Sequence, residues 1–386
     1  MQELKRIINY KRIILLLIAA TVNVVFFLYD NKPVMDEDII NKENVAHETY
    51  IKNYHEEVNA IIDNADKLKK YSIFNKAGSF SYANILQTAR DFERVKNVIL
   101  PEDEYKGVQA YTTYYYQYFF TMLVMMFVIY DMFAQRDNGM WSITYSCANG
   151  RIMYAIKQTG VIVVTGAFTH TLIYWSTFIA AMLQRGGVRD LVNPVQTIET
   201  FDKFTYPWSK IKYVTVLYLI SMVCIVALCI TIWGVFVMFR NRVYALVTML
   251  IFAAVEQFIY SHIDIHSVWN GLHYINIINI ININATFSSY RNWGVGTYVF
   301  PVFSVVLFVH IICAGVIGYI AINVSASMKP YKNTTFIKRF TDCVSAGCQK
   351  ILARIPFLFK EIHKFIFTSH CGWVVVVMLT VTAYVC

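Results

Sequence analysis

Long apolar runs alternate with short polar intervals along almost the whole chain. A mostly apolar run of about 18 residues is long enough to cross a bilayer as a helix. Six runs meet or approach that length: residues 13–29 (IILLLIAATVNVVFFLY), 114–133, 159–183, 213–239, 243–260 and 297–322. Backbone groups in lipid must be satisfied within the segment, so the pattern predicts helices and not an open sheet. The predicted fold is all-α: a polytopic helical membrane protein with six transmembrane helices. A shorter run, CGWVVVVMLTVTAYVC at 371–386, is a seventh candidate. Its reach of ~24 Å falls short of the ~30 Å hydrocarbon core. It therefore needs a partner chain, or it begins a second bundle. The first run resembles a signal peptide, but FFLYDNKP follows it in place of a small-residue cleavage site, so it reads as an anchor.

The polar intervals have patterns of their own. Residues 30–112 form an insertion between spans 1 and 2. Tyr50, Tyr54, Val58, Ile61, Ile62, Ala65 and Leu68 recur at intervals of three and four, the signature of an amphipathic helix. KAGS interrupts it, and Tyr82, Ile85, Leu86, Ala89, Phe92 and Val95 define a second helix that Pro101 closes. An extracytoplasmic helical hairpin is expected. Between spans 5 and 6, in the interval 262–296, lies LHYINIINIININATFSSYRNWGVG. Its Ile/Asn alternation has a strand period, but Asn is disfavoured in strands, so a re-entrant or interfacial helix is the better reading.

Charge then orients the chain. The interfacial segment 1–12 carries four Lys/Arg, and the basic tail 324–370 lies at the other end of the run of spans. Arg136, Arg151 and Lys157 lie between spans 2 and 3, and Arg240 and Arg242 between spans 4 and 5. All fall on one side of an even span count, which the positive-inside rule makes cytoplasmic, with the N-terminus inside. Residues 31–110 hold 14 acids against 11 bases, as expected outside, while the interval 184–212 holds five bases against three acids and fits less well. Overall 57% of residues are hydrophobic, 15% are charged and the formal net charge is +9. Because the basic residues are juxtamembrane and without a binding motif, that charge is a topology signal and not a nucleic-acid footprint.

Little in the chain carries chemistry. There is no G-x-x-x-x-G-K-[ST], H-E-x-x-H or G-x-S-x-G, so nucleotide hydrolysis, metalloprotease and hydrolase activities lack their residues. No metal site is expected: His262, Asp264, His266 and His273 cluster after span 5, but ordinary interfacial polarity explains them better. The eight cysteines avoid residues 31–110, so no exported disulfide framework is indicated. Ionisable or polar residues inside spans are costly and are the candidates for a translocation pathway: Glu256, His170, His310 and Asn23. For each histidine, satisfied packing is the competing explanation. For Glu256 it is interfacial placement or pairing.

One short stretch, NGMWSITYSCANGR at 138–151, joins spans 2 and 3 on the inner side. Asp137 and Asn138 can cap a helix, Met140, Ile143 and Tyr145 give it an apolar face, and Gly150 ends it. Such a helix suits docking into another protein's groove, and the competing explanation is an ordinary loop helix lying on the lipid surface. The order F…D…G…GR…K over Phe133, Asp137, Gly139, Gly150, Arg151 and Lys157 resembles the type-2 ABC exporter permeases, in the branch for peptide export or bacteriocin immunity. The interfacial basic helix, the outside insertion and the outer re-entrant segment resemble that family too. Asp137 or Gln135 stands where Glu is more usual.

This resemblance implies a permease subunit in a bacterial cytoplasmic membrane, exporting an amphipathic peptide or a lipid-like substrate. It further implies a second permease chain and a separate ABC ATPase that holds the ATP and Mg. Segment 134–157 would be the coupling segment, with Asp137, Gly139, Trp141, Tyr145, Gly150 and Arg151 as contacts. Two other classes stay open on the residues alone: a proton-coupled secondary transporter, and a membrane scaffold or sensor using the hairpin as receptor.

Overall fold

The computed structural model describes residues 10–33, 36–71, 76, 78–101, 106–137, 150–239, 241–263, 267 and 269–327. The segment 1–9, residues 138–149, Asp264 and His266, the basic tail from 328 and the seventh run 371–386 lie outside the described residues.

Six helices are long and apolar enough to cross a membrane, and the protein is an all-α, multi-pass helical membrane protein. They are α1 (Tyr10–Asp30), α5 (Tyr116–Asp137), α6 (Gly150–Arg185), α7 (Lys210–Met238), α8 (Arg242–His262) and α12 (Val302–Ala326). Each coincides with one predicted run. The largest departure is α6, whose 36 residues extend the predicted 159–183 run mainly toward its amino end.

α7 is the hub. Its core includes the fully buried Trp233, Tyr213 and Phe236, and α5, α6 and α12 pack around it, with α1 against α6. Helices in lipid gain little from hydrophobic burial against one another, so close packing and interhelical hydrogen bonds hold such a bundle. α8 is peripheral: only 11% of its spanning window is buried inside the protein, against 56% for α7. Ile251, Phe252, Val255 and Phe258 of α8 are all exposed.

The insertion is a helical hairpin. α2 (Glu37–Leu68) starts at Asp36, whose carboxylate accepts from the Asp38 N–H. α3 (Phe80–Glu93) starts at Ser79, whose hydroxyl accepts from the Tyr82 N–H. Both are side-chain N-caps. Tyr54, Val58, Phe92 and Val95 form the hairpin's core, with Tyr50, Ile61 and Ile62 packed against it. A short helix α4 (Gly107–Thr113) leads into α5.

The hairpin does not stand alone. The Tyr50 hydroxyl donates to the Gln196 carbonyl (2.8 Å), within the loop of short 3-10 turns that joins α6 to α7. Tyr290 donates to Asp91 (3.0 Å), and Asn292 donates to Asn84 (2.9 Å). The insertion is thus hydrogen-bonded to both of the other inter-span loops on this side, which is called the insert side below.

The segment after α8 folds into three short helices, α9 (Asn270–Ile275), α10 (Ile278–Ile281) and α11 (Ile283–Ser288). A β-hairpin follows, β1 (Asn292–Val295) against β2 (Tyr298–Pro301), where the end of a re-entrant or interfacial helix and the start of span 6 were expected. The two-residue turn between Val295 and Tyr298 has Gly296 at its first position with φ +63°. Hairpin turns of this length favour a glycine there because their twist requires a positive φ.

Candidate functional site

The four polar residues singled out within the spans occupy three separate places. Asn23 of α1 is fully buried. Its amide nitrogen donates to Thr177 of α6 (2.7 Å), and its amide oxygen accepts from the Tyr114 hydroxyl (2.9 Å). Both ends of the carboxamide are occupied, so Asn23 fastens α1 to α6 and to the start of α5. It faces no cavity.

His170 of α6 is also buried, with Nε2 2.8 Å from Ser221 Oγ on α7. Ser221 donates its one hydroxyl proton to the Tyr218 carbonyl (3.0 Å), which leaves its oxygen to accept from Nε2–H of His170. The rings of Tyr118, Tyr174 and Tyr218 surround the imidazole, Tyr218 stacked at 8°. The arrangement is a polar cross-link between α6 and α7 wrapped in aromatic rings.

Glu256 and His310 do come together. Both line a cavity of about 230 Å³ between α7, α8 and α12, closed on the insert side by Ile275, Ile277 and Ile280. One carboxylate oxygen of Glu256 accepts from the Ile277 N–H (3.0 Å), and its backbone carbonyl accepts from the Asn276 amide (2.6 Å). His310 Nδ1 lies 2.7 Å from the Val306 carbonyl. Because a carbonyl oxygen only accepts, Nδ1 carries a proton, and in the neutral imidazole Nε2 keeps its lone pair. Glu256 sits six residues before the end of α8 and His310 eight residues after the start of α12. These positions are ~9 and ~12 Å from the insert-side helix ends at 1.5 Å per residue.

Sequence reasoning missed the residues that build this wall. The period of INIINIININ is three over Asn276, Asn279 and Asn282, and not two. Asn276 lies just before the first turn of α10, its side-chain oxygen accepting from the Ile278 N–H (2.8 Å). The Asn279 amide donates to the His273 carbonyl (2.7 Å). Asn284 bridges Tyr213 of α7 and the Thr112 carbonyl of α4 (2.7 and 2.6 Å). Ile280 and Ile283 fill the core between them. Asparagine tolerated at helix starts, where it competes for backbone groups, was the readable signal.

At the other end of the bundle α5 closes at Asp137 and α6 opens at Gly150. Gly139, Trp141 and Tyr145 fall between them, outside the described residues. Arg151 is half-buried at the start of α6, beside the exposed Ile152 and Met153. The ring contact between Tyr118 and His170 sets the relative depth of α5 and α6. Asp131 lies thirteen residues below the first and Lys157 thirteen residues below the second, so the two charges stand at one level. Both helices continue past it for between one and two turns.

Comparison with protein-family models, with curated proteins and with solved structures gives no match. Among the described residues no group of three or more His, Cys, Asp or Glu is placed to hold a metal ion.

Proposed function

We propose that the chain is the transmembrane permease subunit of an ATP-driven exporter. One observation carries the reading: α5 and α6 run together past Asp131 and Lys157 before handing the chain to residues 138–149. The two helices that flank this segment thus form a paired stalk, bonded through His170 to the hub helix α7. A push on that segment would be transmitted along rigid helices to the bundle centre. The absence of a phosphate-binding loop in the sequence leaves the source of energy to a partner, an ABC ATPase with its ATP and Mg. A second permease chain would complete the route, and the thinly covered α8 offers it a face. Affinity purification of the full chain, with co-purifying subunits identified by mass, tests the proposal. A nucleotide-binding subunit is expected, with its recovery reduced in Gly150→Pro and Arg151→Glu variants that keep normal helicity. Recovery without any such subunit, or undiminished by these changes, counts against it.

A second reading, a proton-coupled secondary transporter, is favoured by the meeting of Glu256 and His310 in one cavity. It differs in needing no ATPase and in being abolished by an uncoupler.

A further inference from the structure

The cavity between α7, α8 and α12 is mostly apolar, walled by Leu228, Phe252, Ile280, Val309 and Ile317, yet it contains a carboxylate and an imidazole. Glu256 engages one oxygen with the Ile277 N–H, and its second oxygen takes no hydrogen bond among the described residues. His310 uses its proton-bearing Nδ1 on Val306, which leaves Nε2 as an acceptor. Thr231, also on the wall, donates its hydroxyl proton to the Ala227 carbonyl. Apart from the weakly donating Cys313 thiol, the polar groups still open are therefore acceptors, one of them a carboxylate, and no hydrogen bond joins Glu256 to His310 among the described residues. A ligand that satisfies them must bring N–H donors and a positive charge, since an unpaired carboxylate in an apolar site is costly. Its remainder must be apolar, because the walls are. The cavity is smaller than the ~300–1,000 Å³ of a site for a drug-sized molecule, so it encloses a head group and a few methylenes only. Phe252 on its wall is exposed at the middle of α8, where a tail would run out into the lipid.

We infer that this cavity binds the head of an amphiphilic primary ammonium ion. One ammonium N–H is held by the open oxygen of Glu256, another by Nε2 of His310, and the alkyl chain leaves toward the lipid. Charge-assisted hydrogen bonds of this kind are the strong ones, which makes Glu256 the main determinant. As cargo this ligand rests on the permease reading above; as a ligand it does not, because binding needs no ATPase.

The test uses the full chain purified in lipid nanodiscs, with dodecylammonium as probe. Dodecanol and dodecyltrimethylammonium, which lack the charge and the N–H donors respectively, are the comparisons. Saturable binding of dodecylammonium is expected, at least about tenfold tighter than either comparison, and weakened about tenfold by Glu256→Gln. Glu256→Asp should keep part of the affinity. Cys313 lines the cavity and is exposed, so its alkylation by a maleimide should slow when dodecylammonium is bound. That readout, taken by peptide mass mapping on the native chain, decides the matter if the Gln variant fails to fold. Equal binding of the three amphiphiles, full affinity in folded Glu256→Gln, or unprotected Cys313 overturns the inference. Any of these leaves co-purification of an ATPase untouched, so the two proposals fail separately.

Discussion

The carboxylate of Glu256 accepts a hydrogen bond from the backbone N–H of Ile277, twenty-one residues further along the chain. A single acid within a span thereby fastens the least-buried spanning helix to the INIINIININ segment, and it does so at the wall of the mostly apolar cavity between α7, α8 and α12.

Removing that acceptor should loosen the segment. Glu256→Ala leaves the Ile277 N–H unpaired and is expected to cost about 1–3 kcal/mol. Glu256→Gln keeps an oxygen in place and should cost less. Thermal unfolding in detergent measures the difference, and hydrogen exchange at residues 277–281 should quicken in the Ala variant well before it does so elsewhere.

Asn23 should behave as a fastener and not as part of a pathway. Asn23→Ala loses the bonds to Thr177 and Tyr114 and is expected to cost about 1–2 kcal/mol, within the range of interhelical hydrogen bonds in membranes. A double-mutant cycle with Thr177→Val should return a coupling of about 0.5–1 kcal/mol. Additive effects of the two changes would remove the clamp from the picture. Likewise His170→Phe should lower stability while leaving dodecylammonium binding unchanged, since its ring lies outside the cavity.

The docking of the insert hairpin depends on a close approach. A Cβ added at Gly294 of β1 would lie 1.8 Å from the Phe80 ring of α3, so Gly294→Ala must displace one of them. Overpacking of this kind is expected to cost roughly 1–3 kcal/mol. Faster limited proteolysis between α2 and α3 should report it, and the added change Phe80→Ala should reverse much of the effect. No reversal would mean that β1 does not bear on α3 there.

High pH should release the same contact. Burial pushes the Tyr290 phenol up from 10.0 to about 12, with its hydrogen bonds to Thr88 and Asn292 opposing the rise and Asp91 adding to it. Burial also raises Tyr50 and Tyr54 in the same domain. The neutral phenol is the form the folded state holds. Between pH 10 and 12 the unfolded phenol has lost its proton and the folded one has not, so stability falls as pH rises through that window. Protease sensitivity of the hairpin should climb from pH 10 upward, less steeply in Tyr290→Phe.

Much of the fold was legible because lipid constrains the backbone so strictly. Apolar run lengths located all six spans, and three-and-four spacing over Tyr54, Val58, Phe92 and Val95 located the hairpin core. The same rule flagged Glu256, His310, His170 and Asn23 as costly residues. It could not say which of them meet, because that depends on helix rotation and depth, set by packing around α7. The Ile/Asn segment was harder still. Its helices are four to six residues long, tied down by asparagine side-chain hydrogen bonds that no periodicity window detects, and the β-hairpin after them is fixed by one glycine turn.

Reconstitution into sealed vesicles asks most directly whether the energy for movement reaches the bundle from a partner gripping residues 138–151. Uptake of a fluorescent alkylammonium or amphipathic peptide is followed with the purified chain alone and with its co-purified nucleotide-binding subunit, each with and without ATP and with an imposed proton gradient. The permease reading predicts movement only with the partner and ATP, unaffected by an uncoupler and lost in Arg151→Glu. Movement by the chain alone, driven by the proton gradient, would contradict it.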